Sequence, residues 1–198
     1  MKNLKTFYDE LFKKEGKIFD DLGSPFLERI LSSVDLKPCK ALDIGSGEGA
    51  ASVYLAKMGF DVTAIDLSDN AFKRIRENSE LGIKTVSADI TKLELEENYG
   101  VVMSFFMFHH LKRTDVLELL KKLDRGTLPG GIHIFKFITY DSDFYRLRPD
   151  ADFFFSDGKE MEELYKEWSV VFNEIHESRA ATSDAVNSVL SFAAIKKS

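Results

Sequence analysis

From residue 41 to residue 138, short apolar segments typical of buried strands alternate with segments typical of amphipathic helices. The predicted strands are 41–44, 62–65, 83–88, 99–105 and 132–138. The spacing of apolar residues and the capping residues predict helices at 3–14, 24–34, 48–58 and 68–82, and one that starts at Thr114. Strands that alternate with helices pair in parallel, because each crossover returns the chain to the same end of the sheet. The sequence therefore predicts an α/β fold with a doubly wound, Rossmann-like sheet.

The last part of the chain departs from this alternation. Residues 168–175 and 189–195 are predicted strands with only a polar loop between them, so they must be antiparallel. Between the fifth strand and this pair, residues 140–157 are predicted to form a loop or lid, and Asp157 with Glu160 predicts the start of a helix. We therefore expect a seven-stranded, mostly parallel sheet with a C-terminal antiparallel strand pair.

A glycine-rich turn follows the first predicted strand. Residues 43–49 read Asp-Ile-Gly-Ser-Gly-Glu-Gly. Glycines let the backbone turn tightly and approach a ligand, and exposed N–H groups at a helix start favour an anionic group. The turn alone does not identify the ligand, because Gly45, Gly47 and Ala50 also match the G-x-G-x-x-A spacing of dinucleotide sites. The turn is therefore also compatible with a nicotinamide oxidoreductase, which is the main alternative hypothesis.

Three carboxylates near predicted strand ends, together with the antiparallel final pair, argue against a dinucleotide. Asp43 lies two residues before Gly45, where it suits the amino group of a methionine moiety and would repel a pyrophosphate. Asp66 ends the second strand and can accept hydrogen bonds from both ribose hydroxyls, which either cofactor offers. Asp89 follows the third strand, where an adenine amino group would lie. Two structural alternatives remain: Asp43 could orient the loop N–H groups, and Asp89 could cap its own loop.

The sequence resembles the class I S-adenosylmethionine-dependent methyltransferases and, among them, the tellurite-resistance methyltransferase group. The resemblance covers roughly residues 36–198 and is carried by 42–49, Ser52, 54–56, 59–66, 109–111, 129–131, Tyr165, Trp168, Asn173 and Glu174. It implies S-adenosyl-L-methionine as the cofactor. The predicted cofactor-binding residues, drawn from the strand ends and this resemblance, are Asp43, Gly45, Ser46, Gly47, Asp66, Leu67, Asp89, Ile90, Ser104 and Phe105.

The chain is predicted to form one domain with three parts. The length of 198 residues suits a single methyltransferase domain. Its predicted parts are an N-terminal helical lid segment (1–36), a cofactor-binding core (37–139), and a lid loop, helix and antiparallel strand pair (140–198). Tyr8, in the first helix, is predicted either to cover the cofactor or simply to pack.

Several positions depart from the pattern of the tellurite-resistance group. Ser46 stands where relatives usually have Cys, and His176 is followed by Glu177 where a His-Arg pair is implicated at the substrate. Residues 188–190 also lack the later strand arginine. The resemblance therefore does not extend to the residues associated with a small inorganic oxyanion.

No catalytic residue is assigned from the sequence. A role in catalysis is left open for His109, His110 and His176. The adjacent pair His109 and His110 is interpreted as a helix start, because neighbouring side chains of a regular element cannot both face one metal. His133 lies within the fifth strand and is interpreted as a hydrogen-bonded histidine of the sheet.

Charge and composition limit the partners. The net charge of −6 is against a broad nucleic-acid-binding surface, so we expect a small-molecule acceptor. Arg146 and Arg148 could hold an anionic molecule in the presumed lid, or lie on the surface. Four histidines and Cys39 form no metal-ligand spacing, so no metal is expected. The lone cysteine and the absence of a long apolar run predict a cytoplasmic protein with no membrane partner.

The predicted function is methyl transfer from S-adenosyl-L-methionine to a small-molecule acceptor, such as a soft nucleophile or an oxyanion. Its acceptor pocket is expected between the N-terminal helices, the end of the fourth strand and residues 140–157. Two further alternatives are a methyltransferase acting on a macromolecule and a nonenzymatic cofactor-binding module. The acceptor and the oligomeric state are not predicted.

Overall fold

The structure is a computed structural model that describes residues 2–13, 24–95, 98–147, 152–179 and 184–197. Its strands are β1 (Lys40–Ile44), β2 (Asp61–Asp66), β3 (Lys84–Ser87), β4 (Tyr99–Phe105), β5 (Thr127–Ile138), β6 (Trp168–Arg179) and β7 (Val186–Lys196). Its α-helices are α1 (Lys2–Phe12), α2 (Ser24–Ser33), α3 (Ala50–Lys57), α4 (Lys73–Glu77), α5 (Arg113–Gly126), α6 (Asp143–Arg146) and α7 (Gly158–Leu164).

The strands form a seven-stranded sheet in the order β3-β2-β1-β4-β5-β7-β6. The pairs β1–β2, β2–β3 and β4–β5 are parallel, whereas β5–β7 and β6–β7 are antiparallel. The predicted fold class is therefore confirmed, including the C-terminal antiparallel pair. None of the helices in the described ranges is long and apolar enough to span a bilayer.

The chain divides into two compact units, Met1–Leu93 and Glu94–Ser198. The organisation predicted from the sequence, one domain with parts at 1–36, 37–139 and 140–198, stays a prediction.

In the first unit, a small apolar core lies beneath the glycine-rich turn. Val53 of α3, Ala64 of β2, Phe72 and Ile75 form a buried cluster. Gly49 has φ +84°, and a Cβ on this residue would overlap the Ile75 side chain. This left-handed residue is the N-cap of α3, so the helix begins at Ala50 and not at the predicted residue 48.

The predicted helix 68–82 is shorter and broken in the structure. A 3-10 turn at Asp69–Phe72 leads into α4, and a second 3-10 turn at Ser79–Leu81 ends at Gly82. Gly82 is left-handed at φ +67°, which stops the helix as the sequence predicts.

In the second unit, aromatic rings form the core on one face of β5. Phe108, Phe135, Phe137 and Phe154 are buried, and the rings of Phe108 and Phe137 stack with centroids 4.9 Å apart. Phe106 and Met107, which precede Phe108, are only partly buried. The chain turns out of β4 at this point, since Phe106 is a non-glycine residue at φ +61°.

His133 is a fully satisfied sheet residue, as predicted. Its Nε2 lies 2.8 Å from Thr127 Oγ1 and its Nδ1 lies 2.6 Å from the Tyr165 hydroxyl. Thr127 donates its only hydroxyl proton to the Leu123 carbonyl at 2.7 Å, so Nε2 must donate and Nδ1 must accept from Tyr165. Burial lowers the pKa of His133 to about 3, which keeps this ring neutral.

The fifth strand begins earlier than the predicted residue 132. β5 already begins at Thr127, which pairs with Tyr99, and the register then shifts so that Val101 pairs with Ile132. Gly130, at φ +77°, accommodates this irregularity inside the strand. Tertiary contacts hold the early segment in place, because Lys196 Nζ donates to the Thr127 carbonyl at 3.0 Å.

Before the final strand pair, α7 begins where the sequence predicts. The Asp157 side chain accepts a hydrogen bond from the Glu160 N–H at 2.9 Å. The Glu160 carboxylate binds Arg113 and the Ser156 hydroxyl, in place of the reciprocal contact with residue 157 that a capping box would have. The preceding segment, predicted as a loop, contains the short helix α6, which Ser142 caps.

Candidate cofactor-binding site

The glycine-rich turn leaves the carboxyl end of β1 and folds back onto β2. Gly45 and Gly47 have φ values of +68° and +52°, so both occupy the left-handed region that favours glycine. The N–H groups of Gly45 and Ser46 donate to the Ile65 carbonyl at 2.8 and 3.0 Å. The turn is thereby fixed against the neighbouring strand.

The sequence predicts exposed N–H groups in this turn, but in the structure these groups donate to acceptors inside the protein. The Gly47 N–H donates to the Asp66 carboxylate at 2.9 Å, and the Gly49 N–H donates to the Ser46 carbonyl at 3.0 Å. Four N–H groups of the turn are therefore used inside the protein. A cradle for pyrophosphate, which needs such groups free, is not what this turn provides.

Asp66 ends β2 and is the centre of the site. Its Oδ2 accepts from Gly47 and its Oδ1 accepts from the Ser68 N–H, each at 2.9 Å. Burial raises the pKa of this carboxyl although the backbone donors of Ser68, Gly47 and Leu67 oppose the shift. Because a carboxylate has about four lone-pair sites, Asp66 keeps the capacity to accept a further hydrogen bond.

Asp43 lies in β1 and is almost fully buried. The Ser52 hydroxyl donates to Asp43 Oδ2 at 2.6 Å. Burial raises the pKa of Asp43 to about 7, with the charge of Asp66 adding to the rise and the Ser52 hydrogen bond opposing it. Asp43 thus binds Ser52 of α3, whereas the turn N–H groups described above donate to Ile65, Ser46 and Asp66. Its contact with an amino group stays a prediction.

Asp89 caps the 3-10 turn Ile90–Lys92. Its Oδ1 accepts from the N–H and the hydroxyl of Thr91 at 3.2 and 2.7 Å, and Lys92 Nζ lies 3.5 Å from Oδ2. Ile90 is buried. The capping alternative is therefore present in the structure, and contact with an adenine amino group stays a prediction.

The N-terminal helix α1 packs on the turn within the first unit. Asp9 accepts a 2.5 Å hydrogen bond from the Ser68 hydroxyl, and it also binds Lys5 Nζ at 2.8 Å. A Cβ on Gly47 would lie 3.8 Å from the Phe12 ring. Tyr8 stacks on Phe12 with ring centroids 5.7 Å apart. Tyr8 is therefore part of an aromatic pair next to the turn, which agrees with both the covering and the packing hypotheses.

The two predicted cofactor contacts in the second unit lie at the end of β4. Ser104 is fully buried, and its hydroxyl has no hydrogen-bond partner among the described residues. Phe105 is half-buried and lies near Lys136. Their contact with a cofactor stays a prediction.

The remaining candidate residues lie in the second unit and form no metal site. His109 and His110 occupy a 3-10 turn with ring centroids 4.0 Å apart, and His109 packs edge-on against Phe144. Arg146 forms an exposed ion pair with Asp143 at 3.2 Å, whereas Arg148 lies outside the described residues. In the described part of the chain, no group of three or more His, Cys, Asp or Glu residues could hold a metal ion.

Comparison with known proteins establishes the family. The family model described as "Tellurite resistance protein TehB" matches residues 23–195. The chain belongs to this family. The resemblance found in the sequence is therefore confirmed.

The similarity to individual relatives is partial. A protein of Haemophilus influenzae named "Probable S-adenosyl-L-methionine-dependent methyltransferase TehB" is 33% identical over 143 residues, which are 70% of this chain and 49% of that protein. The chain thus spans about half the length of the curated relatives of this name.

Solved structures show the same fold. The crystal structure of TehB from Haemophilus influenzae matches with a TM-score of 0.72 and 24% identity over 98% of this chain and 67% of that chain. The magnesium protoporphyrin IX methyltransferase of Synechocystis PCC 6803 with bound SAH matches with a TM-score of 0.74 and 11% identity over 99% of both chains. At these identities the likeness concerns the fold.

Three residues of the site were not assigned from the sequence. Ser52 lies nine residues after Asp43 and was noted only as part of the family pattern. Asp9 and Phe12 reach the turn from a separate helix, so no local motif marks them. The amphipathic pattern of α1 predicted a helix there but gave no sign of where it packs.

Proposed function

We propose that this protein is an S-adenosyl-L-methionine-dependent methyltransferase that acts on a small molecule. The observation that carries the proposal is the inward-turned glycine loop. Its N–H groups are used by Ile65, Ser46 and Asp66, while the carboxylates of Asp43 and Asp66 lie next to it. Such a site disfavours a pyrophosphate and favours a ligand with a cationic group and hydroxyls, which the methionine and ribose parts of this cofactor provide.

The residues of the site fit the cofactor on three counts. Asp66 is held by backbone donors and keeps acceptor capacity for a ribose hydroxyl. Asp43 is a desolvated carboxyl that an amino group would stabilise in its ionised form. The buried Ser46 hydroxyl has no hydrogen-bond partner among the described residues, so it can meet a ligand without breaking a contact.

The protein then acts by aligning the cofactor with the acceptor. When bound, the cofactor supplies a methyl group on a sulfonium leaving group, which an acceptor nucleophile displaces in line. Asp43 and Asp66 bind and orient the cofactor, and the packing of Tyr8 and Phe12 by the turn limits access of water. Correct positioning of two reactants lowers the barrier without a dedicated acid or base.

A small acceptor is supported by the charge of the protein. The net charge is −6, and several basic side chains of the described surface form ion pairs with acidic neighbours, as Lys166 does with Glu163 and Arg146 with Asp143. Binding to a nucleic-acid backbone requires a concentrated basic surface. The alternatives are a methyltransferase of macromolecules and a nonenzymatic cofactor-binding module.

Calorimetric titration with S-adenosylhomocysteine tests cofactor binding. Asp66→Ala should weaken binding by about 1–3 kcal/mol, roughly 5- to 150-fold, because ribose hydroxyls lose their acceptor. Asp61→Ala is the matched control, since Asp61 opens the same strand and is exposed. Equal affinities of the two variants would remove Asp66 from the ribose site, and tight binding of reduced nicotinamide dinucleotide instead would support the oxidoreductase alternative.

Release of S-adenosylhomocysteine, followed across acceptor classes, tests catalysis. Turnover with small thiols, acids, amines or phenols supports the proposal. Turnover only with RNA, DNA or protein would favour the macromolecular alternative. Tight cofactor binding without turnover on any class would favour the nonenzymatic module.

A further inference from the structure

The carboxyl half of β5 carries a buried lysine that the proposed cofactor site does not use. Lys136 lies between Phe135 and Phe137 and is only 8% exposed. Lysine is rarely buried unless its charge is compensated, because removal of an ammonium from water is unfavourable by several kcal/mol. The side chains around Lys136 indicate which ligand its ammonium group would bind.

Two aromatic rings at the end of β4 face the ammonium. Lys136 Nζ lies 5.7 Å from the centroid of Phe105 and 5.8 Å from that of Phe106, within the range of cation–π contacts. Phe106 adopts φ +61°, and its N–H donates to the Lys136 carbonyl at 3.1 Å. This left-handed conformation is unfavourable for a residue with a Cβ. It holds the start of the loop after β4 against Lys136.

The neighbouring strands add polar groups on the same face. Lys136 pairs with Ser191 of β7, which pairs with Glu174 of β6, and directly opposed side chains of antiparallel strands share a face. Ser191 is buried, and its hydroxyl has no hydrogen-bond partner among the described residues. His176 follows two residues after Glu174, and the charge of Lys136 helps burial to lower its pKa. These pairings place the side chains of Lys136 and Ser191 beside each other on one face of the sheet.

The next row on this face is apolar and aromatic. Ile138 and Val189 pair directly and form a buried cluster with Phe155. The partly buried rings packed against this cluster are those of Phe106, Phe144, Tyr145 and Phe153. Because Phe106 also contacts Lys136, the aromatic cluster is continuous with the polar side chains of Lys136 and Ser191. A ligand that binds to the polar side chains and to the aromatic cluster would have an anionic group and an apolar body.

We propose that Lys136 and Ser191 bind the anionic group of the methyl acceptor, and that the acceptor is an organic acid whose apolar or aromatic body packs on the Phe106 cluster. The proposal rests on the proposed function, because ligands of α/β sheets bind at the carboxyl ends of the parallel strands, where β4 and β5 end. It assigns Lys136 a binding role. It also differs from a site for a bare inorganic oxyanion, which would make no use of the aromatic wall.

Binding of simple aromatic acids tests the proposal. The probes are benzoate, phenylacetate and salicylate, each paired with its neutral amide, titrated with and without S-adenosylhomocysteine. We expect at least one acid to bind at least about tenfold more tightly than its amide, since a hydrogen bond to a charged group contributes about 1.5–3 kcal/mol. Lys136→Met, which keeps the length of the side chain, should abolish this preference, and Ser191→Ala should reduce it.

Controls separate this proposal from the proposed function. Lys166→Met removes an exposed lysine of the same unit and should leave the preference for acids unchanged. Lys136→Met should keep its affinity for S-adenosylhomocysteine and its thermal unfolding temperature. If the wild type binds S-adenosylhomocysteine but binds no acid, or binds acids and amides equally, the Lys136 site is wrong while the proposed function stands. Failure to bind S-adenosylhomocysteine at all would instead refute the proposed function.

The pH dependence of acid binding is a second measurement that needs no variant. Burial lowers the pKa of Lys136 to about 8, so the ammonium is present below this pH and is lost above it. Among the described residues of the strands, the charged or titratable side chains that share its face are Glu174 and His176. Tyr145 belongs to the aromatic cluster beside it. Because the pKa of His176 is lowered from its model-peptide value of 6.5, this ring does not gain or lose charge near pH 8. Affinity for the acid should fall as the pH rises through about 8, and a flat profile would contradict the proposal.

Discussion

The two units place opposite charges at their strand ends. In Met1–Leu93, the turn after β1 and the end of β2 carry the carboxylates of Asp43 and Asp66. In Glu94–Ser198, the carboxyl halves of β4 and β5 carry aromatic rings and the ammonium of Lys136. Burial moves the pKa of Asp43 up to about 7 and that of Lys136 down to about 8, so both groups shift towards their neutral forms. Each unit is thus suited to a ligand group of the opposite charge.

The two units also differ in how their sites are assembled. Asp43 meets Ser52 nine residues later, and Asp66 meets Ser68 two residues later, so most of the first site is local in sequence. Lys136 and Ser191 are neighbours only because β5 pairs with β7 in this register. Local sites depend on turns and helix starts, whereas cross-strand sites depend on register.

Breaking the turn of the first unit should have the largest effect. Gly49→Ala places a Cβ against Ile75 at a left-handed residue, and we expect a loss of about 2–5 kcal/mol in the free energy of unfolding. Gly82→Ala is the matched control, because Gly82 has φ +67° but nothing lies within 4 Å of its added Cβ. It should lose only about 1–2 kcal/mol. Urea unfolding measures both, and equal losses would show that Ile75 does not constrain the turn.

In the second unit, a single hydroxyl supports the buried His133. Tyr165→Phe leaves His133 Nδ1 without its donor, and we expect a loss of about 1–3 kcal/mol in the free energy of unfolding. Tyr140→Phe is the control, since the exposed Tyr140 hydroxyl can exchange Arg113 for water and should lose at most about 1 kcal/mol. If Tyr165→Phe unfolds at the same urea concentration as the wild type, the buried network does not stabilise this unit.

The opposite charges of the two sites should give opposite pH slopes. Asp43 has a raised pKa of about 7, so part of it is protonated below neutral pH, and binding a cationic amino group must release that proton. Affinity for S-adenosylhomocysteine should therefore rise with pH, by up to about tenfold per unit below about pH 7, and then level off. Acid binding at Lys136 should fall above about pH 8.

Calorimetry between about pH 5.5 and about pH 7.5 measures the first slope. Asp43→Asn should flatten it, leaving only the contribution of Asp66, whose pKa burial also raises. Asp61→Asn is the control and should keep the full slope, because Asp61 is exposed. A slope of the opposite sign in the wild type would mean that Asp43 does not meet the amino group.

The smallest expected effect is that of a chelator. We predict that EDTA leaves cofactor binding and methyl transfer unchanged, because carboxylates of the first site are used by Ser52, Gly47 and Ser68, and neither site gathers three metal-ligating side chains in the described ranges. Activity lost with EDTA and restored by a divalent ion would contradict this.

Particular residues show how far sequence interpretation reached. Asp66 was placed at the end of β2 and Gly82 at the end of a helix, and both positions agree with the structure. His133 was interpreted as a hydrogen-bonded sheet residue, yet its partner Tyr165 lies 32 residues away and could not be named. The exposed N–H groups expected in the glycine turn point inward instead, because their acceptors, Ile65 and Asp66, belong to the next strand.

The sequence by itself determined the order of strands and helices, the antiparallel final pair and the carboxylates at the strand ends. These features depend on apolar periodicity and on glycine and capping residues, which act over a few neighbouring positions. The tertiary structure decided the start of β5 at Thr127, the contact of Asp9 with Ser68 and the pairing of Lys136 with Ser191. Each of these joins segments far apart in the chain, and their register is set by which faces are buried together, which no local pattern records.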